Sequence, residues 1–124
     1  MDNEPRSAST LETILDDYTL FIECVFNHKT LKPESPKAMF SPQLKIKSLL
    51  QHGPLRFKDS TLNDNIKLSA ELSWLILQSP HGIGALKEAH GDGFQHYSIL
   101  FPKSGTGIAI LTNSDNGQSL FKAY

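Results

Sequence analysis

The side chains that could do chemistry are few. Five histidines, His28, His52, His81, His90 and His96, could ligate a metal or move protons. No His-x-x-x-His pair exists, and no carboxylate is spaced to complete a zinc set, so no metal and no cofactor is expected. His96 follows His90 by six positions. The two share a strand face only if the turn at Asp92-Gly93 keeps phase. A lone cysteine, Cys24, can form no internal disulfide and falls in an apolar helical stretch, which reads as a structural thiol. One Ser-x-x-Lys occurs, Ser119-Leu120-Phe121-Lys122. On a helix that spacing brings the amine to the serine oxygen, as acyl-transfer chemistry needs. The plain reading is an ordinary surface Ser and Lys on the last helix. The remaining candidate is His90-Gly91-Asp92-Gly93, a polar, glycine-containing tetrad between two apolar runs.

The elements that position these residues follow from pattern. Residues 1–8 are polar, carry Pro5 and read as a disordered lead-in. Ser9-Thr10-Leu11-Glu12 matches a capping box. Ile14, Leu15, Tyr18, Phe21, Ile22, Val25 and Phe26 recur at threes and fours, which predicts a helix over 14–27. Asp16 and Asp17 sit in its first turn, where the dipole favours negative charge. Pro33 and Glu34 open a short helix near 34–40, with Met39 and Phe40 toward the core. Leu44, Ile46 and Ser48 alternate with lysines, as a short edge strand would.

The second half reads as strands. Leu68 to Leu77 is one, with Trp74 as core packing, and Ser79-Pro80-His81-Gly82 is a turn. Ile83 to Ala89 and Gln95 to Phe101 follow. Pro102 to Gly105 is a hairpin turn, and Thr106 to Thr112 is apolar enough to be buried on both faces. Gln118 to Tyr124 reads as the opening of a last helix, capped by Ser114 or Asp115, so that the helical element starts at about 115. Helices, then an antiparallel meander, then a helix is an α+β order.

The chain has 124 residues and a formal net charge of −1. A near-neutral balance offers no footprint for nucleic acid or an anionic membrane. No apolar run is long enough to cross a bilayer, and the polar start lacks a signal-peptide core, so the chain as it stands reads as cytoplasmic, with the compartment of an intact protein left open.

His90-Gly91-Asp92-Gly93, Phe94 to Ser98, Phe101-Pro102, Gly105, Gly107-Ile108 and Leu111 to Gly117 together resemble the C-terminal part of the serine β-lactamase-like family. That family includes class C β-lactamases, D-alanyl-D-alanine carboxypeptidases and related esterases. The segment Thr13 to Phe26 and the stretch Leu31 to Gln43 are also similar to the family, so the likeness spans 9–124. It implies an antiparallel sheet with flanking helices that is part of a larger domain. It implies acyl-enzyme hydrolysis of amides or esters. His90, Gly91, Asp92 and Gly93 would line the cleft. His90 would stand in the position of the family's triplet lysine or histidine, and the Gly93 N–H in that of an oxyanion donor.

Two departures accompany the likeness. Asp92 stands where the triplet usually has glycine, which disfavours anionic substrates and suits neutral esters or amides. The Ser-x-x-Lys lies downstream of the tetrad, in the wrong order for the family, and no Tyr-x-Asn occurs. The expectation is therefore a C-terminal segment inactive alone, whose partners are an upstream complementary fragment or a second copy. The alternative is a stand-alone non-catalytic binding module on the same sheet.

Overall fold

The computed structural model describes residues 4, 12–27, 31–48 and 54–121. Most of the lead-in, the Ser9-Thr10-Leu11 capping residues, His28, His52 and Lys122 lie outside them. The described elements are α1 (Leu15–Asn27), α2 (Glu34–Met39), β1 (Leu44–Lys45), a 3₁₀ turn (Pro54–Phe57), β2 (Ser69–Ala70), β3 (Leu75–Ser79), β4 (Gly82–Gly91), β5 (Phe94–Phe101), β6 (Thr106–Thr112) and α3 (Gln118–Phe121). The six strands form one antiparallel sheet in the order β1-β2-β3-β4-β5-β6. The architecture is α+β. Among the described residues no helix is long and apolar enough to cross a membrane.

The hairpins explain the meander. Pro80-His81 joins β3 to β4, with Ser79 opposite Gly82. Gly82 has φ +110°, a conformation that favours glycine. Asp92-Gly93 joins β4 to β5, with Gly91 opposite Phe94 and Gly93 at φ +80°. Asp-Gly is a favoured two-residue hairpin turn because its twist matches that of the flanking strands.

Leu68–Leu77 is not one strand. It folds back as β2 and β3 around Leu72-Ser73, closed by Glu71 N–H to Trp74 C=O at 2.9 Å and the reciprocal bond at 3.2 Å. Ser73 takes φ +69° there, a position no glycine advertises.

Each sheet face carries its own core. On one face α1 and α2 cover Trp74, Ile76, Ala85 and Leu100, with Ile22 inserted from α1 and Tyr18, Phe26, Met39 and Phe40 packed around them. The other face holds Leu77, Leu86, Tyr97 and Phe121, with the Phe121 ring of α3 stacked 5.1 Å from Tyr97. Pairing parity assigns the sides. His96, Ser98 and Leu100 of β5 point to the α1 side, and Gln95, Tyr97 and Ile99 to the α3 side.

One further expectation is corrected. β6 is not buried on both faces: among the described residues it is an edge strand paired to β5 alone, with Ile108 60% exposed. The final helix begins at Gln118, where the pattern places its opening, after a turn over 115–117.

Candidate functional site

The tetrad sits at the turn end of the β4–β5 hairpin. His90 is the next-to-last residue of β4 and pairs with Gln95 on β5, which directs both toward the α3 side. Its Nδ1 lies 3.4 Å from the Gln118 amide nitrogen, and its Nε2 lies 3.8 Å from the Glu88 carboxylate. A proton on Nε2 suits both neighbours, since the amide N–H can then donate to Nδ1. The imidazole and the Glu88 side chain are 43% and 41% exposed. His90 therefore stands on open surface, where an ion pair contributes little.

The Phe94 ring, 53% exposed, lies over Gly91, where a Cβ would meet it at 2.1 Å and turn it aside. Asp92 is exposed at the tip of the turn. The Gly93 N–H, the expected oxyanion donor, is already occupied: it donates to Asp115 Oδ1 at 2.7 Å. A substrate oxygen would have to displace that carboxylate.

Asp115 belongs to a clamp that sequence reading did not find. Gln95, only 8% exposed, uses both ends of its amide. Its Nε2 donates to the Asp115 carbonyl at 2.7 Å, and its Oε1 accepts from the Gln118 N–H at 2.7 Å. The two partners fix the amide's orientation, one being only an acceptor and the other only a donor. Thr112 closes the same corner by donating to the Gln95 carbonyl at 3.1 Å. Gly117 fits beneath because it has no side chain; a Cβ would stand 2.3 Å from Thr112 Oγ1.

So Gln95, from a strand, satisfies the first N–H of α3. Ser114 and Asp115, the expected caps, do other work: Ser114 Oγ accepts from the Asn116 N–H at 3.1 Å, and Asp115 holds Gly93. The signal that could have exposed the clamp was faint: a glutamine in a strand that also carries His96 and Ser98.

The remaining candidates are apart from this corner. The Asp92-Gly93 turn changes phase, so His96 lies on the opposite sheet face from His90. There it packs under Tyr18 of α1 with ring centroids 5.5 Å apart. Tyr18 shares a 2.9 Å hydrogen bond with the fully buried Ser98. Burial holds the His96 imidazole below its ordinary pKa, with Lys87 and His90 adding repulsion. Its Nε2 is buried without a hydrogen-bond partner among the described residues. His81 meets the Phe101 ring edge-on at the β3–β4 turn.

Ser119 donates to the Asn116 carbonyl at 2.8 Å, as a surface helix serine does. Cys24 is half-buried in α1. Among the described residues no group of three His, Cys, Asp or Glu side chains could hold a metal ion. Of the groups at this corner, the His90 imidazole is open to solvent, while the Gly93 N–H and the first N–H of α3 are already hydrogen-bonded within the chain. No family model, no curated protein and no solved structure matches the chain.

Proposed function

We propose that the chain is the C-terminal segment of a serine β-lactamase-like hydrolase, acting on neutral esters or amides together with an upstream segment. The observation that carries this reading is the order of elements around the tetrad. A strand ends in His90-Gly91, turns at Asp92-Gly93, and is followed by strand, hairpin, strand and helix. That order runs through the residues on which the resemblance rests.

In this reading the upstream segment supplies Ser-x-x-Lys and Tyr-x-Asn. The serine oxygen attacks the substrate carbonyl, the alcohol or amine leaves with a proton, and water hydrolyses the resulting ester. His90 binds the substrate's polar end. Asp92, exposed at the turn, repels an anionic group. The Gly93 N–H serves the oxyanion only when Asp115 moves aside. The chain by itself has the binding wall without the nucleophile.

A second reading, a non-catalytic binding module, is favoured by that same Gly93–Asp115 bond, which fills the donor. Activity separates the two. The purified chain is expected to leave chromogenic β-lactams and p-nitrophenyl esters untouched and to take no fluorophosphonate label. Co-expression with the segment encoded immediately upstream should produce esterase or amidase activity that His90→Ala weakens. Absence of activity in the mixture moves the assignment to the binding module. Stoichiometric labelling of Ser119 in the chain alone overturns the proposed division of labour.

A further inference from the structure

The two edges of the sheet are unlike. β1 is two residues long and contains Lys45, whose amine pairs with Asp64 at 2.6 Å; Lys47 follows. Short, charged edges resist pairing with other chains. β6 is seven residues long, pairs with β5 through an unbroken register and carries no charge and no proline. Along its outer side it presents a row of backbone N–H and C=O groups that seek partners. Ile108 is 60% and Leu111 37% exposed.

Thr106-Gly107-Ile108-Ala109-Ile110-Leu111-Thr112 is close to a palindrome about Ala109. A second copy laid antiparallel on a two-fold axis at Ala109 sets Thr106 opposite Thr112 and Ile108 opposite Ile110, twice each. Opposite residues share a sheet face, so the exposed Ile108 gains an apolar neighbour. Leu111 falls opposite Gly107. The space over that glycine is taken by the Leu100 side chain, whose Cδ2 a Cβ there would meet at 2.8 Å, so the incoming Leu111 would pack against Leu100. The sequence and its hydropathy repeat under one axis, and this favours a second copy over an unrelated strand.

We propose that β6 is a homodimerisation edge on which two copies pair antiparallel about Ala109, joining two six-stranded sheets into one. This inference does not draw on the hydrolase reading.

The test is sedimentation of the full chain across a concentration series, with site-directed cross-linking. The dimer fraction should rise with concentration. Ile108→Lys should weaken the dimer on the order of tenfold or more, while its thermal unfolding shows that the monomer still folds. In a Cys24→Ser background, Ala109→Cys should oxidise to a covalent dimer. Thr106→Cys should not, because its two copies lie about 20 Å apart along the seam. A monomer at every concentration overturns the proposal. So does a dimer that a folded Ile108→Lys variant leaves intact, or cross-linking at 106 as fast as at 109. A monomer that associates only with the upstream-encoded segment gives the edge to that segment and equally overturns it.

Discussion

The two faces of the sheet are held by different physics. On the α1 side, Ile22, Trp74, Ile76, Ala85 and Leu100 form an apolar layer, and its cohesion comes from removing hydrocarbon from water. On the α3 side the cluster is smaller, and a helix of a single turn is too short to stay formed by itself. There a hydrogen-bonded clamp, Gln95 to Asp115 and Gln118, supplies what area does not. The difference also sorts the histidines. His96 lies under α1, where burial discourages its charge, and His90 lies on the α3 side in contact with solvent. A catalytic or binding role needs access, so the thinly covered face is the one suited to a ligand.

The largest expected effect breaks the thick side. Leu100 is 1% exposed, and Leu100→Ala should cost about 2–5 kcal/mol, read as a lower urea midpoint for the whole sheet. The next effect breaks the clamp. Gln95→Leu keeps apolar bulk but leaves the Asp115 carbonyl and the Gln118 N–H unpartnered, at about 1–3 kcal/mol. Its signature is local: amide exchange at Gln118 should accelerate far more than at Leu100. Uniform acceleration would mean that the clamp is part of one cooperative core, and the contrast between the faces would fail. On the thick side, Ser98→Ala removes the hydroxyl partner of Tyr18 and should cost about 1 kcal/mol by the same denaturation measurement.

Much of the fold was legible because its signals are local. β4, β5 and β6 alternate or run apolar between turns marked by Gly82, Gly93 and Gly105, all of which take positive φ. The α1 periodicity is likewise local, although only Ile22 and Val25 of that helix become buried. What failed was tertiary. The β2–β3 hairpin turns on Leu72-Ser73, without glycine, proline or asparagine, so the run looked continuous. β6 looked buried on both faces because composition reports hydropathy and not position in a sheet. The site divided in the same way. The tetrad was visible in sequence, but the occupation of the Gly93 N–H by Asp115, 22 positions away, was not. Nor was the contact of Tyr18 with Ser98, 80 positions apart.

The histidines give the smallest and sharpest test of the contrast. Because burial lowers the folded-state pKa of His96 below 6.5, the unfolded chain takes up its proton first as pH falls. The stability contributed by the neutral, buried ring is complete above about 6.5 and is lost as pH drops below it toward the folded-state value. His96→Phe keeps an aromatic ring beside Tyr18 and removes both the titration and the unpartnered Nε2. Melting temperatures from pH 7.5 to 5 should therefore fall less steeply in His96→Phe than in the parent chain. An equally steep fall would show that acid sensitivity arises elsewhere. His90→Ala is the counterpart on the exposed side. It removes a 3.4 Å contact to Gln118 and a 3.8 Å pair with Glu88, both at solvent-exposed positions. At pH 7.5 it should change stability by no more than about 0.5 kcal/mol. A loss several times larger would make His90 a structural member of the α3 clamp and remove the reason to regard that imidazole as available to a ligand.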